Sequence, residues 1–168
     1  VAINVPIGGS FAVANSLAAI STASVLGLTT DEIVTGCGQV STVTGRFEPV
    51  SSDADIDVVI DFAHTPEALQ GLLISARQIT RARLIVVFGC GGDRDQAKRP
   101  LMGDIASRLA DTVIVTSDNP RNEKPETILA NIVSGAKANS DNIVSIVNRD
   151  EAIQSAILQA QSGDMVVI

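Results

Sequence analysis

From residue 45 onward, short apolar runs of strand length alternate with longer stretches whose apolar residues recur at helical spacing. The runs Arg46 to Val50, Asp57 to Phe62, Leu84 to Phe88, Thr112 to Thr116, Ile143 to Val147 and Met165 to Ile168 predict strands. Between them, Pro66 to Ile79, Pro100 to Ala110, Pro125 to Ala138 and Arg149 to Gln161 predict helices. Strands alternating with helices of this length imply βαβ units with right-handed crossovers, hence an α/β fold: a Rossmann-like, mostly parallel sheet with helices on both faces. Thr65 offers a hydroxyl N-cap ahead of Pro66, where proline at the first helical position costs no hydrogen bond. Pro100 and Pro125 are expected to open their helices in the same way.

The first 44 residues follow another pattern. Ala, Leu, Ile and Val recur at helical spacing from Ser10 to Leu28, and Gly27 with Thr29-Thr30-Asp31 ends that helix and caps a short second one through about Thr35. Gly36 and Gly38 are expected to break it. A boundary near residues 38–45 gives a helical tail, 1–44, and an α/β domain, 45–168. Neither end looks like a natural terminus, since the chain starts at Val1 and stops at Ile168 inside an apolar run, so a fragment of a larger protein is expected. No stretch reads as a bilayer span, because Leu17 to Leu28 is short and interrupted by Ser21, Thr22 and Ser24.

Charge and composition narrow the function. A formal charge of -7 and the absence of Trp and Tyr argue against a nucleic-acid surface. Cys37 and Cys90 with the single His64 lack the spacing of a metal site, and read as reduced thiols of a cytoplasmic protein.

Because each helix of the α/β region follows a strand, helix N-termini and connecting loops gather on one rim, at the carboxyl ends of the strands, where open α/β folds bind ligands. Three charged loops fall there. In Gly89 to Pro100, Arg94 stands where the last glycine of G-x-G-x-x-G should be, which disfavours a dinucleotide site for hydride transfer. Asp93, Arg94, Asp95, Lys98 and Arg99 alternate in sign, which suits a zwitterionic or carboxylate ligand held by an Arg fork, or a solvated run laced with its own ion pairs. In Asp61-Phe62-Ala63-His64-Thr65-Pro66, Asp61 can accept from ribose hydroxyls and His64 can donate to phosphate; the segment also reads as a capped helix start with His64 bonded to backbone. In Ser117 to Glu123, Asp118 and Asn119 can bind an ammonium and Arg121 a carboxylate, while Asn119-Pro120 also reads as a plain turn. There is no G-x-x-x-x-G-K-[ST] loop, no G-x-S-x-G elbow and no second His, so no catalytic residue and no metal ligand is assigned.

Five segments, in order, resemble the Mur ligases of peptidoglycan synthesis: Asn15-Ser16-Leu17-Ala18-Ala19, Gly45-Arg46-Phe47-Glu48, Asp61 to Pro66, Gly89 through Pro100-Leu101-Met102-Gly103, and Asp118-Asn119-Pro120-Arg121. The similarity is greatest to the members that add the third residue of the stem peptide. It implies a chain made of the end of the central ATPase domain, 1–44, and a Rossmann-like C-terminal domain, 45–168, truncated at its end and lacking its N-terminal and central partners. It further implies an ATP-dependent ligase that adds meso-diaminopimelate to UDP-MurNAc-L-Ala-D-Glu through an acyl phosphate.

By the same resemblance, Asn15 lies near the adenine, Arg46 and Asp61 contact the nucleotide, and His64 belongs to the nucleotide side. Arg94 grips a carboxylate of the incoming amino acid, and Asp118, Asn119 and Arg121 form its specificity motif. The phosphate loop, the modified lysine and the Mg2+ ligands belong before Val1, and a Gly-Lys-Gly-His-Glu segment after Ile168. Phe11-Ala12-Val13 departs from the family's Phe-Asn-Val, and Phe62 replaces its Tyr. A lysine-adding homologue and a non-catalytic nucleotide- or amino-acid-binding module remain open as alternatives.

Overall fold

Residues 10–25 contain no charged side chain, and they form α1 (Ser10–Val25), in which Ala, Val, Leu and Ile are interspersed with Ser, Thr and Asn15. It closes in a Schellman turn: Gly27 takes a φ of 87°, its N–H donates to the Ser24 carbonyl, and the Leu28 N–H reaches the Ala23 carbonyl at 3.1 Å. A reciprocal capping box opens α2 (Thr30–Gly38), with the Thr29 hydroxyl accepting from the Glu32 N–H and the Glu32 carboxylate accepting from the Thr29 N–H at 2.8 Å. Contrary to expectation, Gly36 and Gly38 lie inside this helix; glycine weakens an exposed helix by about 1 kcal/mol but does not forbid it.

The computed structural model describes residues 2–5, 8–40, 42–50, 54–136 and 141–168. Two units divide the chain, Val1–Glu48 and Pro49–Ile168. The expected first strand begins late, at β1 (Glu48–Val50), because Phe47 adopts a left-handed φ of 46° that ends extended backbone.

The second unit holds β2 (Asp57–Ile60), α3 (Pro66–Ile79), β3 (Leu84–Phe88), α4 (Lys98–Leu109), β4 (Thr112–Thr116), α5 (Pro125–Val133), β5 (Ile143–Ile146), α6 (Arg149–Gln159) and β6 (Met165–Val167). The sheet order is β1-β2-β6-β3-β4-β5. From β2 to β5 every pairing is parallel, in registers such as Val58↔Val166, Ile85↔Val166, Val87↔Ile114 and Ile114↔Val144. Helices α3, α4 and α5 lie side by side. On the opposite face α6 sets Ala152 and Ala156 against Val58, Ile85, Val87, Ile114 and Val166. Two-sided cover explains why β3 is buried at all five positions and reads as an unbroken apolar run.

Two helix ends differ from the sequence expectation. Helix α4 starts at Lys98, so Pro100 is its third residue, which is tolerated because N–H groups of the first turn lack intrahelical partners. Helix α5 stops at Val133; of the residues expected to extend it, Lys137 and Ala138 lie outside the described residues. A methyl on Gly135 would stand 1.7 Å from the Pro100 carbonyl oxygen, so this end is fixed by the close approach of α4.

Helices α4 and α5 also approach closely at Gly103, where an added Cβ would lie 1.9 Å from the Ile132 oxygen, whereas nothing lies within 4 Å of one on Gly71 in α3. In urea unfolding, Gly103→Ala should therefore cost about 1–3 kcal/mol, as overpacking does. Gly71→Ala should stabilise by about 0.5–1 kcal/mol through helix propensity. Shifts of equal sign would contradict the packing described for α4 and α5.

Candidate functional site

Parallel pairing puts the segments after β2, β3, β4, β5 and β6 on one rim. There the loops after β3 and β4 are joined along their length. The Gly92 N–H donates to the Asn119 carbonyl at 2.8 Å, and the Arg121 Nη1 donates to the Gly92 carbonyl at 2.7 Å and the Asn119 carbonyl at 3.5 Å. The Asp93 carboxylate accepts from the Asn122 side-chain amide at 2.7 Å and its backbone N–H at 3.3 Å. Two residues that are not glycine, Asp93 and Arg121, are held in the left-handed region at φ 51° and 50°. Such conformations cost energy and persist where surrounding contacts enforce them.

Glu123 is the centre of this seam. Its carboxylate accepts from Arg99 Nη1 at 2.9 Å and Nη2 at 2.7 Å, from the Asp93 N–H at 2.6 Å, and from Gln96 Nε2 at 3.4 Å. Arg99 is wholly buried, and its Nη2 also reaches the Gly91 carbonyl at 3.4 Å while its Nε has no partner. The bidentate Arg99 contact, then the Asp93 N–H, holds the Glu123 carboxyl down at about 2, far below the usual carboxylate range. Hydrogen bonding to Glu123 likewise raises the pKa of Arg99.

The predicted binding residues occupy this rim unevenly. Arg94, Asp118 and Asn119 are exposed on the two joined loops. Arg121 is also exposed, with Nη1 committed to loop carbonyls. The charged residues of the run from Asp93 to Arg99 have different surroundings. Arg99 is withdrawn inside, Asp95 accepts from the Ala97 N–H at 2.9 Å, and Lys98 donates to the His64 carbonyl at 2.7 Å. Only Arg94 of that run makes no hydrogen bond or ion pair among the described residues.

Asp61 leaves β2 half-buried, its N–H bonded to the Ile168 carbonyl at 3.0 Å. The Thr65 hydroxyl accepts from the Ala68 N–H at 3.2 Å and caps α3, as the sequence predicts. His64 Nδ1 lies 3.1 Å from the Phe62 carbonyl, and the two rings sit 5.0 Å apart, so its ring is turned to its own loop. Asn15 and Arg46 belong to the other unit; Asn15 is exposed on α1, and Arg46 is exposed in the turn before β1.

Arg99 and Glu123 are the rim residues that sequence reasoning did not separate out. A signal was available: Arg99, Met102, Gly103 and Ala106 recur at helical spacing and form the buried stripe of α4, so Arg99 is a charge at an apolar position. Cys90, buried beside Met102, has its thiol pushed up to about 11 by burial, which leaves it chemically quiet. Among the described residues no group of three or more His, Cys, Asp or Glu side chains could hold a metal ion, and no helix is long and apolar enough to cross a membrane.

Residues 45–168 match the family described as Mur ligase, glutamate ligase domain. The chain belongs to the Mur ligase family. It is 45% identical to UDP-N-acetylmuramoyl-L-alanyl-D-glutamate–2,6-diaminopimelate ligase 1 of Clostridium acetobutylicum, over 100% of this chain and 34% of that protein. It is 50% identical to the corresponding diaminopimelate ligase of Synechococcus elongatus, over 97% of this chain and 33% of the relative. A solved UDP-N-acetylmuramoyl-L-alanyl-D-glutamate–2,6-diaminopimelate ligase superposes with a TM-score of 0.72 at 40% identity, covering 100% of this chain and 34% of that one. The chain thus spans about a third of the length of the curated Mur ligases it matches.

The Glu123 interaction gives this Mur ligase domain a defined acid response. A carboxyl whose folded pKa is lowered from 4.5 to about 2 contributes stability that is complete above about pH 4.5 and lost as pH falls towards 2. Glu123→Gln should therefore lower the urea midpoint at pH 7 and flatten its decline over that acid window. A wild-type slope between pH 4.5 and 2 in the variant would show that Glu123 is not the group responsible.

Proposed function

We propose that this chain is the carboxyl-terminal part of an ATP-dependent ligase that adds meso-diaminopimelate to UDP-N-acetylmuramoyl-L-alanyl-D-glutamate. The observation that carries the reading is the joined rim: one arginine, Arg94, with no partner among the described residues, faces outward on the loop after β3, beside an Asp118-Asn119-Pro120-Arg121 loop fixed to it by hydrogen bonds. The names of the relatives at 45% and 50% identity point the same way.

Roles follow from the chemistry of each group. Arg94 offers a guanidinium to a carboxylate of the incoming amino acid, and Asp118 and Asn119 accept from its ammonium. Arg121, bonded through Nη1 alone among the described residues, keeps Nε and Nη2 for the distal carboxylate that diaminopimelate has and lysine lacks. On the nucleotide side, Asp61 accepts from ribose hydroxyls, with His64 in the same loop and Arg46 and Asn15 contributing from residues before β1. These donors and acceptors suit ATP, which supplies the phosphoryl group that activates the accepting carboxylate. The described residues do not suit Mg2+, and its ligands are assigned to the two thirds of the relatives that this chain does not span.

Residues 1–44 are read as the end of the central ATP-binding domain and 45–168 as the C-terminal domain. The absence of any charged side chain from α1 supports this, because a helix whose outer face meets water normally carries charged residues there. Turnover is accordingly assigned to the full-length ligase and not to this chain alone, and a cytoplasmic location accords with the free thiols Cys37 and Cys90.

In the full-length ligase, Arg121→Ala should reduce kcat/KM for diaminopimelate by roughly a hundredfold, since a bidentate Arg–carboxylate contact is worth about 2–4 kcal/mol. Binding of the UDP-linked substrate should be unchanged. Phosphate release assayed with diaminopimelate and with lysine decides the matter: preserved discrimination between the two amino acids would overturn the assignment of Arg121.

A further inference from the structure

Arg99 and Glu123 touch neither loop surface offered to a ligand, yet they determine how both loops lie. Arg99 comes from the first turn of α4, Glu123 from the loop after β4, and the same carboxylate takes the Asp93 N–H and the Gln96 amide from the loop after β3. Asp93 immediately precedes Arg94, and Arg121 lies two residues before Glu123. Both Asp93 and Arg121 are in the left-handed region. One carboxylate thus holds the strained turns that present the two exposed arginines.

A purely structural role accounts poorly for the choice of residues. A well-packed apolar pair would fill the same space without burying charge, and Arg99 leaves its Nε with no partner in a side chain shielded completely from solvent. A buried group left incompletely satisfied is the kind of local cost that proteins keep where geometry serves function. What the ion pair supplies and an apolar pair cannot is direction: a planar fork fixes the carboxylate, and the carboxylate fixes the Asp93 N–H.

We infer that Arg99 and Glu123 are positioning residues for recognition of the incoming amino acid, holding the loops after β3 and β4 in the one relative placement that lets Arg94 and Arg121 engage two carboxylates at once. The inference rests on the function proposed above and adds to it residues that touch no substrate. Because the pair sets the shape of the pocket before and during reaction alike, its loss should appear in the KM for diaminopimelate and leave kcat nearly unchanged.

The test uses the full-length ligase, with steady-state constants for all three substrates and a thermal midpoint for each variant. Glu123→Gln should raise the KM for diaminopimelate by about tenfold or more, with the constants for ATP and the UDP-linked substrate within about twofold of wild type. Arg99→Met combined with Glu123→Leu removes the buried Arg99 charge together with its partner's; it should recover the thermal midpoint and keep the raised KM. This double variant also decides the matter if Glu123→Gln does not fold.

A wild-type KM for diaminopimelate in either variant would overturn the inference, as would parallel changes in all three KM values with kcat. Arg94→Ala, run alongside, separates the two levels. A raised diaminopimelate KM in Arg94→Ala but not in Glu123→Gln rejects only the positioning role. A wild-type KM in Arg94→Ala rejects the amino-acid site and the inference with it.

Discussion

Strand β6 hydrogen-bonds on both sides, with Val166 in register with Val58 of β2 and with Ile85 of β3, so β6 is an inner strand of the sheet, inserted between two strands that precede it in sequence. Strands β2 and β3, though joined by α3, are therefore not neighbours, and the two loops that leave them flank the carboxyl end of β6. Here the Lys98 ammonium donates to the His64 carbonyl, tying the start of α4 to the loop after β2. The insertion is secured at the amino end by Asp164. Burial opposes its charge, but Arg83 and the Gln161 N–H hold its pKa below the ordinary value.

The glycine-rich segment after β3 works differently from the phosphate cradle its composition suggests. A Cβ on Gly92 would stand 1.9 Å from the Pro120 carbonyl oxygen, so the residue is small because another loop passes against it. The irregular glycine spacing that argued against a dinucleotide site thus has a positive cause: the glycines make room for backbone, and the charged residues between them are divided between the interior and the surface. A single loop of this kind would be a turn with charges; two loops bonded edge to edge become a surface of defined shape.

How much of this was legible depended on the range of the forces involved. The spans of α3, β3 and β4 follow the sequence because the deciding signals are local: Thr65 and Pro66 at one helix start, and two runs of apolar residues that both faces of a buried sheet demand. Boundaries set by distant contacts or unusual backbone were missed, as at Phe47, where a positive φ shortens β1, and at Gly135, where α4 limits α5. The location of the rim was readable from strand–helix alternation alone. The fate of individual charges was not, because whether an arginine in a charged run faces water or a carboxylate 24 residues away is decided by tertiary packing.

The two buried charges at opposite ends of the sheet show how the fold divides its tasks. Asp164, at the amino ends of the strands, accepts from Arg83 and from two backbone N–H groups, and it joins a turn to the start of β3 where no candidate ligand residue lies. Its bonds account for the position of a strand and need no further purpose. Arg99, at the carboxyl ends, keeps an unpaired Nε and spends its bonds on one carboxylate and one loop carbonyl. Buried ions contribute little net stability, so the imperfectly satisfied one should sit where precise placement matters more than stability. In this chain that is the end where Arg94, Asp118, Asn119 and Arg121 are gathered.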